Sequence, residues 1–134
     1  MLKKTIKYND YNGNELTEDF YFNLNKSELM EMELGTTGGF AEQVKKIVAA
    51  NDTPSIIKIF KDLILKSYGQ KSPDGKRFIK SDELREEFTQ TEAYSNLFME
   101  LSQDEKAAAE FINGVIPNDL AEQAKQMKPE LFNK

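Results

Sequence analysis

The chain has 134 residues, 39% hydrophobic and 31% charged, the size and composition of one ordinary folded domain rather than of a fibrous or disordered protein. It contains no cysteine and no histidine, which excludes a disulfide framework, a thiolate zinc site, a thiolate nucleophile and the usual general base near neutral pH. A net charge of −5, with the cations scattered, argues against a nucleic-acid backbone as partner, and no apolar run approaches the roughly 20 residues that span a bilayer.

Residues 2–8 alternate, with Leu2, Lys4, Ile6 and Tyr8 on one face, and 16–24 alternate more clearly, with Leu16, Phe20, Phe22 and Leu24 together. Between them Asp10-Tyr11-Asn12-Gly13-Asn14 is turn chemistry, so the chain opens with a β-hairpin over 2–24. The one locally basic stretch, 1–7, spaces its lysines as a solvent-facing or edge-protecting strand does. A lone hairpin is only marginally stable in water, so the face of Phe20 and Phe22 must lie on helices or on a strand of another chain.

Asn25 and Glu28 form a capping-box pattern that opens a short helix through Leu29, Met30 and Met32, and the glycine-rich stretch 35–39 stops it. A second helix over 40–50 presents Phe40, Ala41, Val44, Ile47 and Val48 as one stripe. The helix over 53–68 is read as the centre of the fold, with Thr53 as its cap and Pro54 at its first position. Ile56, Ile57, Ile59, Phe60, Leu63, Ile64 and Tyr68 fill half of its circumference, and Gly69 is expected to end it in a left-handed cap.

Ser72-Pro73-Asp74-Gly75 is a turn that leads into a short extended stretch over 76–80. Ser81 then caps a helix carrying Leu84 and Phe88. The apolar phase breaks over 89–91 and resumes as Ala93, Tyr94, Leu97, Phe98 and Leu101. Ser102 with Glu105 reads as the next capping box, on a helix of Ala107, Ala108, Phe111 and Ile112 that Gly114 ends. A weaker helix with Leu120, Ala121, Ala124 and Met127 follows Pro117. The expected fold is α+β and mostly α, an N-terminal hairpin packed on a bundle of about six helices with 53–68 in the middle. One domain is expected over 1–127, its hairpin at 2–24 and its helical part at 25–127, followed by a short tail at 128–134.

Candidate chemistry is sparse. Ser55 and Lys58 have the Ser-x-x-Lys spacing of acyl-enzyme hydrolases without the companion elements, so a helix start explains them better. Asp10, Asn12, Asn14 and Glu15 offer the oxygens that calcium takes, at a spacing that suits a hairpin turn and not a calcium loop. The acids over 82–87, among them Glu83 and Glu87, read as a solvated face, since nothing predicts a pocket that would separate their pKa values. No catalytic, cofactor or metal site is therefore expected. Leu65 and Met99 are apolar residues out of phase with their helices, and Leu131 and Phe132 lie in the tail with nothing local to cover them. Together they favour a protein that binds other proteins.

The segments KKTIKYNDYNGNELTEDFYFNLNKSELMEME, TTGG, LILKSYGQKSPDGKRFIKSDEL, QTEAYSNLFMEL and FINGVIP resemble a family of small tail-gene-cluster proteins of tailed bacteriophages and prophages of Gram-positive hosts. The resemblance stops near Pro117. It implies a tail assembly chaperone that holds the tape measure protein, tail tube subunits or both by protein–protein contact, without catalysis, in the host cytoplasm. The alternative it leaves open is a structural component retained in the virion, such as a completion or connector subunit. Homo-oligomers are compatible with either, whereas nucleic-acid and membrane partners are not expected. Phe20, Phe22, Leu65, Met99 and Phe132 are the candidate partner contacts.

Overall fold

The computed structural model describes residues 1–35, 38–50 and 52–116. Strands β1 (Leu2–Asn9) and β2 (Glu15–Phe22) form the expected hairpin, in antiparallel register from Leu2↔Phe22 to Asn9↔Glu15. Its loop closes with the Asp10 amide donating to the Asn14 carbonyl at 2.9 Å, and Gly13 takes a φ of 84° that a side chain would resist. The sheet is larger than that hairpin. Strand β3 (Tyr68–Lys71) pairs with β2 through Phe22↔Tyr68, and β4 (Phe78–Ile79) pairs with β3, giving four antiparallel strands in the order β1-β2-β3-β4.

Six helices lie among the described residues. Helix α1 (Lys26–Leu34) has the predicted capping box: the Glu28 amide donates to Asn25 Oδ1 at 2.9 Å and the Asn25 amide to Glu28 Oε1 at 3.0 Å. Helix α2 (Phe40–Ala49) lies against α1 and α3 (Thr53–Ser67). Of its predicted stripe only Phe40 is described, half-buried against the core; the side chains of Ala41, Val44, Ile47 and Val48 lie outside the description. Helix α3 is capped one residue earlier than expected, by Asp52, whose carboxylate accepts from the Ser55 hydroxyl at 2.7 Å. Ser81 caps α4 (Asp82–Thr89) at 3.1 Å from the Leu84 amide, and Thr91 caps α5 (Glu92–Gln103) where the sequence loses phase. The cap of α6 (Glu105–Val115) is Asp104, not Ser102, because α5 continues far enough to bury Leu101 and carries Ser102 in its last turn.

Two glycines were misread. Gly69 has no left-handed φ; α3 runs directly into β3, and a Cβ on Gly69 would lie 2.7 Å from Phe78 Cε2 and 2.8 Å from the Ile79 carbonyl oxygen. Gly114 does not end α6 either. The helix passes through it to Val115, and the absent side chain leaves room for Leu2, whose Cδ1 lies 2.8 Å from where a Cβ would be. The predicted helix after Pro117, with Leu120, Ala121, Ala124 and Met127, and the tail at 128–134 lie outside the described residues.

The core centres on β2 and not on α3. Phe22 has no exposed surface, and its ring lies 5.3 Å from Phe111, 5.8 Å from Tyr68 and 5.9 Å from Phe88, with Tyr68 and Phe88 stacked at 4.2 Å. Around it lie Leu24, Ile64, Leu97, Leu101 and Val115. The fully buried residues of α3 lie at its C-terminal end, Leu63, Ile64 and Ser67, with Ile59 and Leu65 half-buried against the same core. The two residues after β2 fasten the helix ends to the sheet: the Asn23 amide donates to the Ser67 carbonyl and the Leu24 amide to the Val115 carbonyl, both at 2.8 Å. Those are carbonyls of last helical turns, which have no partner within their own helix.

Candidate protein-binding surface

Of the five residues singled out from the sequence, the fold turns three toward the core. Phe22 is wholly enclosed and leaves no surface for a partner. Phe20 is half-buried, its ring 5.3 Å from Phe88 and 6.3 Å from Tyr8. Leu65 is half-buried against the core and its carbonyl accepts from Arg85 Nε at 3.0 Å, while Lys58, Lys61 and Asp62 on the same side of α3 stay exposed. Met99 is 46% exposed on α5, and Phe132 lies outside the described residues.

The sequence reading missed the most exposed apolar pair among the described residues. Met30 and Leu34 are 64% and 79% exposed on α1, four residues apart and therefore neighbours on its surface. The signal was present. At about 100° per residue, Leu29 and Met32 fall together and pack inward, while Met30 and Leu34 fall together on another side. Beside α1 lies an open cleft of about 320 Å³ lined by Leu24, Met32, Glu28, Glu31, Lys66 and Arg85. Of the lining residues, Glu28 is held by Lys80, which donates to its Oε2 at 2.7 Å and to the Asn23 carbonyl at 2.6 Å.

A second surface runs along β1, an edge strand. Hydrogen-bonded and non-bonded pairs alternate along an antiparallel ladder. The bond from the Asp10 amide to the Asn14 carbonyl fixes the phase, so Lys4, Ile6 and Tyr8 bond β2 while Lys3, Thr5, Lys7 and Asn9 turn their backbone groups to the open side. On that side Asn96 Nδ2 of α5 donates to the Lys7 carbonyl at 3.2 Å. One turn along α5, Glu100 pairs with Lys4 at 3.0 Å. The side chains of Lys3, Thr5 and Lys7 point to the solvated face of the sheet, where Thr5 donates to Asp19 at 2.6 Å and Lys7 pairs with Glu15 at 3.3 Å. On the helix face the Tyr8 hydroxyl donates to Glu18, and that bond pushes the phenol up to about 12.

The polar candidates are committed to local structure. The Ser55 hydroxyl serves the α3 cap, Lys58 is exposed, and in the acidic run Asp82 pairs with Arg85 at 3.1 Å while Glu83, Glu86 and Glu87 face solvent. Asp10 accepts from the Asn14 amide at 2.8 Å, the Asn12 amide at 2.9 Å and the Asn14 side chain at 3.2 Å. The Asn14 bonds above all hold its carboxyl below the usual carboxylate value. A lowered folded-state value stabilises the loop at pH above the unfolded one and loses that contribution as pH falls through the folded one. Asp10→Asn should therefore lower the thermal midpoint near neutral pH, and its difference from the native chain should shrink below pH about 4, read from melts against pH.

Among the described residues no helix is long and apolar enough to cross a membrane, and no group of three or more carboxylates is placed to hold a metal ion. What the described surface offers is hydrophobic area and a strand edge on a small α+β fold, the equipment of a protein that contacts other polypeptides. The family model for phage tail assembly chaperones matches residues 1–133, beyond position 117 where the sequence resemblance stopped. The chain belongs to the phage tail assembly chaperone family. No curated protein and no solved structure matches it.

Proposed function

We propose that this chaperone binds the tape measure protein, tail tube subunits or both in the infected cell, by protein–protein contact and without catalysis, and that it is left out of the finished virion. The observation that carries the reading is the outward pair Met30 and Leu34 on α1, exposed and adjacent on its surface, with the cleft lined by Leu24 and Met32 along another side of the same helix. Exposed neighbouring apolar side chains favour association, and a long partner engaged by many copies multiplies weak contacts into stable coverage. Met99 of α5 adds a second exposed contact.

The test is affinity capture from phage-infected cells followed by mass spectrometry, with purified virions analysed in parallel. Tail proteins should co-purify with the chaperone, and virions should contain little of it. Stoichiometric recovery from virions would establish a retained structural subunit instead. The double substitution Met30→Ser with Leu34→Ser should reduce capture several-fold while leaving stability within about 0.5 kcal/mol per site, since neither side chain belongs to the core. Undiminished capture by that variant would remove α1 from the interface.

A further inference from the structure

We infer that the open edge of β1 accepts an extended segment of a partner protein, added as a fifth strand, whose residues alternate between acidic and apolar. The inference rests on the chaperone reading above and names the form of the bound segment.

Three observations lead to it. Lys3, Thr5, Lys7 and Asn9 direct backbone groups to the open side of β1, and among the described residues the acceptor at Lys7 alone is engaged there, by the exposed side chain of Asn96. An asparagine side chain reproduces one rung of a ladder and is readily displaced by another. Lys3 and Lys7 then place two cations on the solvated face of this edge, on either side of Thr5, Lys7 being shared with Glu15 of β2 through an exposed pair at 3.3 Å. Opposite charges directly across a strand pair attract and like charges repel, so an incoming strand is favoured with acidic residues on that face. Finally, Asn96 and Glu100 bring one stripe of α5 against β1, and Met99 lies on the outer side of that stripe, 46% exposed. The alternate residues of an added strand, on the helix face, meet Met99, which favours apolar side chains there.

The same charges disfavour other occupants. Two copies paired antiparallel about Thr5 would set Lys3 of each against Lys7 of the other, and centring on Lys7 would oppose the two lysines directly. A helix laid on this edge would leave its ladder groups without backbone partners.

The probe is a synthetic peptide of alternating glutamate and valine, about nine residues long to span β1, used with the full chain. Binding is followed by fluorescence anisotropy and by amide exchange in NMR spectra. The peptide should slow exchange at the Lys3, Thr5 and Lys7 amides, and a peptide with lysine in place of glutamate should bind about tenfold or more weakly. Thr5→Pro removes an outward N–H and the side-chain bond to Asp19, so a folded variant should lose peptide binding by about tenfold or more. Thr5→Val loses the Asp19 bond alone and should keep peptide binding. Lys3→Glu with Lys7→Glu should reverse the charge preference, and this variant decides the matter if Thr5→Pro does not fold.

Unslowed amides with bound peptide, or unchanged affinity in a folded Thr5→Pro, would overturn the inference. So would concentration-dependent protection of β1 without peptide, which assigns the edge to a second copy. Protection that vanishes on removing residues 117–134 would assign it to the chain's own end and overturn it too. If Thr5→Pro captures tail proteins as well as the native chain does, strand addition fails while the chaperone reading stands. If the native chain captures none, that reading fails by itself.

Discussion

Replacing Phe22 by alanine is expected to lower the unfolding free energy by about 3–5 kcal/mol, the usual cost of emptying a buried phenylalanine site. Small domains have roughly 5–15 kcal/mol in all, so the variant should lie near the edge of folding. The reason is geometric. Phe22 is fully enclosed, and Tyr68, Phe88 and Phe111 approach its ring from a strand and two different helices. Those neighbours are fixed by their own elements and close the void only partly, so the lost transfer energy and the cavity add. Phe20→Ala, on the same face of β2 but half-buried, should cost clearly less. Urea unfolding followed by circular dichroism measures both. Equal costs for the two would show that the core does not centre where the rings place it.

That contrast shows how far the sequence could be read. Alternation put Phe20 and Phe22 on one face of a strand, correctly, but alternation does not say which end of a strand lies deeper. Burial of Phe22 is decided by Phe111, which is 89 positions away and comes from the last described helix. Local chemistry was legible: the Asn25 capping box, the Ser81 cap, the turn at Gly13 and the break at Thr91 all depend on neighbours within four residues. At two other helices the cap moved: Asp52 caps α3 in place of Thr53, and Asp104 caps α6 because α5 runs on to bury Leu101 and carries Ser102 in its last turn. The same limit governed the surface. Met99 stayed out of phase and exposed, as expected, whereas Leu65 was equally out of phase and is half-buried against the core, its carbonyl held by Arg85 of α4. Met30 and Leu34 were legible from their angular spacing but hidden by Leu29 and Met32 in the same short helix, which leave it with no single apolar side.

Gly69 offers a sharper test, because two explanations of one glycine predict opposite rankings of variants. If it were a left-handed helix cap, asparagine, which tolerates positive φ, would be the mildest replacement and alanine worse. The structure gives another cause. Tyr68 already has extended backbone, with φ −66° and ψ 139°, and Gly69 pairs with Tyr21 in the sheet, buried beneath Phe78. A Cβ there would sit 2.7 Å from the Phe78 ring and 2.8 Å from the Ile79 carbonyl oxygen. The ring can turn aside, but the carbonyl is backbone of the paired strand and moves only with β4. Gly69→Ala should therefore cost about 1–3 kcal/mol through overpacking, and Gly69→Asn should cost more, as the larger side chain. Truncating the ring with Phe78→Ala should relieve only part of the Gly69→Ala penalty, since the carbonyl contact remains, and a double-mutant cycle separates the two contributions. A milder asparagine variant would restore the left-handed cap and sever β3 from its direct continuation of α3.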